Sequence, residues 1–280
     1  MLVKFWGVHG SLPRPGPTTL KYGGNTACVE IRCNGTLIIL DAGTGIRELG
    51  EDILKRTRTT SGTRSPIRGH IFFSHLHWDH VQGFPFFAPA FIRGNEFHLY
   101  GASGVGCTIH RVMADQMSIP NFPITLNEMT ASLKFHDLAP GDRIGIDDVL
   151  IRAEQLNHPG GSLGYRLERM GKTVAYASDT EYIPGVEPRT LELIRDADLL
   201  IYDSMFTPEQ YLGLSDDVSK QSWGHSTWEG AVETARTAGV KQLILFHHGN
   251  DDKTVEEIER KARERFPSTM AAFEGLEIRI

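Results

Sequence analysis

Cysteine is scarce in this chain, with three residues among 280: Cys28, Cys33 and Cys107. Three thiols cannot all pair within one chain, and Cys28 and Cys33 fall on opposite faces of one apparent strand. Both facts argue against a disulfide framework and for a reducing, cytoplasmic setting. The N-terminal stretch Met1 to Gly7 lacks a basic region followed by a sustained apolar run, and Pro13, Pro15 and Pro17 come soon after. Neither a signal peptide nor a membrane partner is therefore predicted. Excess positive charge is also missing, because 29 Lys and Arg stand against 35 Asp and Glu for a net charge of −6. That balance disfavours a chain built to grip nucleic acid, whose phosphates call for clustered cations. The one basic stretch, Lys55, Arg56, Arg58, Arg64 and Arg68, lies among Ser, Thr and Gly and reads as a solvated loop. No internal repeat is visible.

What is present is an ordinary globular composition, 40% apolar and 23% charged, in a chain long enough to bury a substantial core. Strand-like runs recur at 3–6, 28–32, 36–40, 70–74, 96–100, 149–155, 164–167, 173–177, 199–203 and 242–246. Helical patterns separate several of them. Ser226 and Glu229 form a Ser-x-x-Glu capping signal for a helix over 227–238, with Gly239 at its end. Asp252 is placed to cap another, whose stripe is Val255, Ile258, Ala262 and Phe266, ended by Pro267. A hairpin from Leu163 to Ala177 turns at Met170-Gly171. Strands mixed with helices in this way indicate an α/β layered fold. The segment Phe84 to Asp137 is rich in Phe, Pro and Met, and reads as core, as a pocket wall or as the contact of a homodimer.

The densest chemistry is Ser74-His75-Leu76-His77-Trp78-Asp79-His80, directly after the apolar Ile71-Phe72-Phe73. His75 and His77 alternate at a strand end, so both can turn toward one ion. Asp79 and His80 follow where the chain leaves the strand and can reach a second. Paired ions about 3.5 to 4 Å apart clamp an in-line displacement in many hydrolases, and this spacing suits that geometry. Zinc-type catalytic sites use imidazole and carboxylate ligands and leave a position for water. An all-His/Asp set with no cysteine also admits Mn²⁺.

At this motif the chain resembles the metallo-β-lactamase superfamily. The resemblance implies an αββα sandwich of two mixed sheets between helices, formed by residues 1–280 as one domain, with two divalent ions at one edge. It assigns His158 in Asn157-His158-Pro159 to the first ion with His75 and His77, and His247 to the second with Asp79 and His80. Asp179 in Ser178-Asp179-Thr180 becomes the bridge. His248 directly follows His247 and remains a competing ligand. Asp41 in Leu40-Asp41-Ala42-Gly43 matches the early aspartate turn and would brace a metal-bound imidazole from behind.

Gly224-His225-Ser226-Thr227 before the helix resembles the ribonuclease Z and phosphodiesterase branch. There the histidine contacts the scissile phosphate and protonates the leaving oxygen, and Asp203 in Tyr202-Asp203-Ser204 matches the acid that orients it. A helix N-terminus offers N–H groups to an anion, which makes Ser226 and Thr227 phosphate-binding candidates. An imidazole placed there supplies charge and a proton. The catalytic set read from the sequence is thus His225, Asp79 and Asp203. The expected activity is hydrolysis of small phosphodiesters, cyclic nucleotides among them. Transfer-RNA 3′ processing of the ribonuclease Z kind is the runner-up, disfavoured by the acidic charge and by the lack of a recognisable basic arm. A non-catalytic metal-binding sensor of the same fold is the third reading.

Overall fold

A computed structural model describes residues 1–58, 64–102 and 108–280. Cys107 and residues 59–63 of the basic stretch lie outside them. The first sheet contains β1 (Leu2–Gly7), β2 (Cys28–Cys33), β3 (Thr36–Leu40), β4 (Arg68–Phe73), β5 (Glu96–Ala102) and β6 (Ser132–Leu138). The second contains β7 (Arg143–Ile146), β8 (Val149–Leu156), β9 (Ser162–Arg169), β10 (Lys172–Ala177), β11 (Leu199–Asp203), β12 (Leu243–Phe246) and β13 (Thr269–Ala271). The chain then returns β14 (Glu277–Arg279) to the first sheet. The helices are α1 (Ile46–Arg56), α2 (Trp78–Val81), α3 (Ile109–Gln116), α4 (Pro188–Ile194), α5 (Pro208–Tyr211), α6 (Trp228–Thr237) and α7 (Asp252–Arg265). Among the described residues no helix is long and apolar enough to cross a membrane.

Strand order is β14-β1-β2-β3-β4-β5-β6 in one sheet and β13-β12-β11-β10-β9-β8-β7 in the other. Each sheet is mixed, with β3 to β6 parallel in the first and β10 to β13 parallel in the second. Parallel strands covered on both faces lose the alternation of a half-exposed strand. Accordingly β3 (Thr-Leu-Ile-Ile-Leu) and β12 (Leu-Ile-Leu-Phe) are buried at every position. Alternate side chains serve different layers. Ile38, Leu40 and Phe72 fill the space between the sheets with Tyr165, Tyr176 and Phe246. Ile39, Ile71 and Phe73 pack outward with Phe84, Phe87 and Met113. On the far side Leu200 and Leu245 meet Trp228 and Ala231 of α6 and Ile258 of α7. This is the layered αββα sandwich.

Two capping assignments need correction. The N-cap of α6 is Thr227, whose side chain accepts from the Gly230 N–H, and Ser226 is turned inward. The N-cap of α7 is Asp251, bonded to the Thr254 N–H, while Asp252 accepts from the backbone of Lys21 and Tyr22. In both cases neighbouring residues offered equivalent oxygens, and tertiary partners claimed one of them. The hairpin turn falls at Met170-Gly171, with φ of 50° and 74°, the double positive φ of a type I′ turn. The Phe-rich segment does not form an open pocket wall at 84–91, because Phe84, Pro85, Phe87, Pro89 and Ala90 are buried in the outer core. Within the basic stretch, Arg56 pairs with Glu30 and Asp52, and Arg68 with Glu96.

Candidate metal centre

The parallel direction of β3, β4, β10, β11 and β12 brings their carboxyl ends to one edge of the sandwich, where loops leave sheets and ligand sites gather. Asp41 follows β3, His75 follows β4, Asp179 follows β10, Asp203 ends β11 and His247 follows β12. His158 follows β8, which runs the same way as β10 because each is antiparallel to β9. Chain reversal at these points is sharp, with φ of 60° at Asp41, 50° at Asp179 and 60° at His247. Left-handed backbone at residues other than glycine costs about 1 kcal/mol or more each and persists where the surroundings over-determine it.

Two clusters of the expected ligand atoms result, His75, His77 and His158 in one and Asp79, His80, Asp179 and His247 in the other, each with its atoms within 4.8 Å of one another, and Asp203 and His225 come equally close to Asp179 and His247. In the first, His158 Nε2 lies 3.3 Å from His77 Nδ1. In the second, His80 Nε2 lies 3.3 Å from His247 Nε2. Two imidazole nitrogens bound at about 2.0 to 2.1 Å to one tetrahedral ion stand about 3.3 Å apart. Asp179 connects the clusters, with Oδ1 at 3.1 Å from His80 and 3.2 Å from His247, and Oδ2 at 3.6 Å from His75. Asp79 Oδ2 approaches His247 at 3.1 Å and also accepts from the Ser11 N–H at 2.7 Å.

The ring tautomers are set from behind. His80 donates from Nδ1 to Asp41 Oδ2 at 2.8 Å, and His158 donates from Nδ1 to the Gly224 carbonyl at 2.9 Å. Ser74 Oγ donates to Asp41 and so accepts from His75 Nδ1 at 3.1 Å. Each of these rings turns its Nε2 into the cluster, and His75 Nε2 is buried there without a hydrogen-bond partner. A buried, unpartnered acceptor facing other acceptors is unfavourable unless a cation joins them, so the residues fit a pair of divalent ions. Gly224 is required for this packing, since its φ is +86° and a Cβ would lie 2.2 Å from His158 Nδ1.

The electrostatics point the same way. Burial opposes charge on His80, yet Asp179, Asp79 and Asp41 outweigh it and hold its pKa well above the usual imidazole value. Burial also opposes charge on Asp179, and the His247, His80 and His75 rings outweigh it and hold the carboxyl well below its usual range. His75, farther from the carboxylates, is pushed down by burial and by the neighbouring His80. In effect a proton on His80 satisfies carboxylates arranged for a cation.

His225 stands beside the second cluster, its ring stacked on His247 at 5.1 Å between centroids. Its Nδ1 donates to Asp203 Oδ2 at 2.8 Å, leaving Nε2 on the opposite side of the ring. Burial opposes its charge, but Asp203, Asp179 and Asp79 prevail and raise its pKa to about 9. Asp203 is itself held by the N–H groups of Met205, Ser226 and Thr180. Ser226 and Thr227 line a cavity of about 190 Å³ with His225, and their hydroxyls are engaged within the protein. Ser226 Oγ donates to the Thr180 carbonyl and accepts from the Tyr182 N–H, and Thr227 Oγ caps α6. His248 points away, bonding the Ala272 carbonyl at 2.9 Å.

Sequence reading missed Ser74 and Tyr176 as supports. The Tyr176 hydroxyl donates to Asp41 at 2.6 Å, although in sequence Tyr176 is one more apolar-facing position of a strand. Ser74 carried a signal, since it immediately precedes His75.

Known proteins place this geometry in a family. Ribonuclease Z of Bacillus velezensis is 26% identical over 257 residues, which cover 75% of this chain and 80% of the relative. Ribonuclease Z of Haloarcula marismortui is 25% identical over 327 residues, covering 100% of this chain and 97% of the relative. The crystal structure of human tRNase Z, short form, superposes with a TM-score of 0.69 at 20% identity, covering 100% of this chain and 99% of that one. The model of the β-lactamase superfamily domain matches residues 36–248. That span runs from β3 through His248 and takes in both ligand clusters, so the chain belongs to the β-lactamase superfamily, as a metal-dependent hydrolase of the metallo-β-lactamase fold.

Proposed function

We propose that this protein is a binuclear phosphodiesterase in which His75, His77 and His158 would hold one ion and Asp79, His80 and His247 the other, with the Asp179 carboxylate shared between the two sets. Two such ions supply Lewis-acid stabilisation of phosphate charge and lower the pKa of an attacking water. The chain's own residues do the rest. Asp41, Ser74 and the Gly224 carbonyl fix the imidazole tautomers, and Asp203 keeps His225 protonated. His225 would deliver its proton from Nε2 to the departing oxygen and become neutral, while Asp203 stays anionic on its backbone donors and keeps the Nδ1 proton in place. The observation that carries this reading is the His225–Asp203 pair, bonded at 2.8 Å beside the bridging carboxylate. Zinc is the ion best matched to the imidazole-rich set, and manganese is compatible with it.

For the substrate, the names of the relatives favour cleavage of RNA in the manner of ribonuclease Z. A specific observation keeps small phosphodiesters, cyclic nucleotides among them, as the second reading. The alignment with the Haloarcula relative runs to 327 residues although this chain has 280, so the relative carries residues with no counterpart here. The net charge of −6 also provides little attraction for a long polyanion. Turnover of a 3′-extended transfer RNA, cyclic AMP and bis-p-nitrophenyl phosphate at one salt concentration separates the readings. Trimming of the RNA alone establishes the first and hydrolysis of the cyclic nucleotide alone the second. Inertness toward all three, with both ions bound, refutes the proposal.

A further inference from the structure

Glu181 follows Asp179 by two residues but belongs to neither ligand cluster. Its carboxylate accepts three hydrogen bonds. Oε1 takes the Tyr211 hydroxyl at 2.5 Å and the Ser222 N–H at 2.7 Å, and Oε2 takes the Gly224 N–H at 3.1 Å. Tyr211 ends α5, and Ser222 and Gly224 lead into α6, so one carboxylate ties both ends of the connection 212–224. That connection has little apolar anchorage of its own, since Leu212, Leu214, Val218 and Trp223 are all exposed. Glu181 is itself held in place, because its N–H donates to the Asn157 carbonyl at 2.8 Å and its own carbonyl accepts from the Asn157 side chain at 3.0 Å. Asn157 directly precedes His158.

The Gly224 peptide is where these ties converge. Its N–H is bonded to Glu181, its carbonyl accepts from His158 Nδ1, and the next residue is His225. We propose that Glu181 is a positioning residue which, through Gly224, sets the orientation of the His158 and His225 rings without touching substrate or metal. The inference rests on the function proposed above. Charge-assisted bonds to two backbone N–H groups are stronger than neutral ones, and removing the carboxylate leaves those donors unpaired. The consequence is a shift of the two rings rather than loss of the fold, since the donors to this side chain are the last residue of the short α5 and two residues of the connection to α6, and none lies in a sheet.

Glu181→Ala and Glu181→Gln, checked for native circular dichroism, are assayed at saturating zinc so that His158 stays ligated. Turnover of a diester with an alkoxide leaving group is expected to fall about 10- to 100-fold in Glu181→Ala, the range for losing a supporting contact. A nitrophenyl diester, which needs less protonation, should lose less, and KM should change less than about threefold. Glu181→Gln keeps one acceptor oxygen and should recover part of the loss. In a His225→Ala background the Glu181→Ala change should cost less than about threefold more, because the two act through one path. Equal costs in both backgrounds would make Glu181 part of the scaffold only and overturn the proposal. If the zinc-loaded wild type hydrolyses no diester, the functional reading fails separately, and chelator competition for zinc decides on Glu181. Affinity weakened about 10- to 100-fold in Glu181→Ala supports the positioning role through His158, and unchanged affinity overturns it.

Discussion

Asp203→Asn tests whether His225 works as a protonated acid. The substitution preserves shape while removing the charge that first opposes the desolvation of His225. Asp203 Oδ1 accepts from the Met205 and Ser226 N–H groups, and Oδ2 accepts from His225 Nδ1 at 2.8 Å and from the Thr180 N–H at 3.3 Å. An asparagine that keeps its oxygen on the two backbone donors must turn its NH₂ toward His225, forcing the imidazole to present a bare Nδ1. The cationic form loses its partner. Removing an opposite charge at this distance lowers an imidazole pKa by about 1 to 3 units. Above the wild-type limb the protonated fraction therefore falls about tenfold per unit of displacement, and turnover of a poor leaving group should fall with it. The direction follows from the role. An acid is active below its pKa and inactive above it, so the upper limb of the kcat profile moves to lower pH and the deficit narrows toward pH 6. Bound cations offset Asp179 and Asp79, so the holoenzyme limb lies below the metal-free value, and the displacement between wild type and variant is the quantity measured. Profiles of kcat from pH 6 to 10 on an alkyl and a nitrophenyl diester, at constant ionic strength with zinc saturating, provide the assay. An upper limb that stays in place in Asp203→Asn would refute the role assigned to the pair.

The remaining tests address the ligands and the core. The purified protein should bind two divalent ions per chain, and Asp179→Ala should weaken both, which elemental analysis after dialysis against a mild chelator would show; retention of both ions would dismiss Asp179 as the bridge. Loading zinc at pH 7 should release protons, because His80 is held protonated by Asp179, Asp79 and Asp41; calorimetry in buffers of different ionisation enthalpy that detects no release would contradict that state. His247→Ala should lose an ion, whereas His248→Ala should keep both and cost stability of about 1 to 3 kcal/mol by leaving the Ala272 carbonyl unpaired; the reverse pattern in metal content would transfer the assignment to His248. His70, stacked on His98 in the first sheet, has its pKa lowered by burial to about 4. The unfolded chain therefore binds this proton first, and the contribution of neutral His70 is complete above about pH 6.5 and lost as pH falls toward 4, amounting to about 3 kcal/mol. Urea unfolding at pH 7 and 4.5 should show a smaller acid loss for His70→Gln than for wild type, and identical losses would count against it.

What the sequence by itself determined was local and dense. Six residues from His75 to His80 carried four candidate ligands at one strand end, and apolar runs such as Leu-Ile-Leu-Phe marked strands buried on both faces. The strands it failed to mark were β6, β7, β13 and β14, which are the four sheet edges. An edge strand pairs on one side and packs against less protein, so polar residues are tolerated and the hydrophobic signature fades. The tertiary structure alone decided matters between equivalent neighbours. Thr227 rather than Ser226 caps α6 because Thr180 and Tyr182 take the serine hydroxyl. His247 rather than His248 faces the carboxylates because a left-handed turn at φ 60° directs the first ring inward and the second toward Ala272. The supports of the site, Tyr176 on Asp41 and Glu181 on Gly224, were invisible for the same reason. Their partners lie far along the chain: Tyr176 reaches Asp41 only where the two sheets meet, and Glu181 reaches Gly224 only where two connections of the second sheet come together.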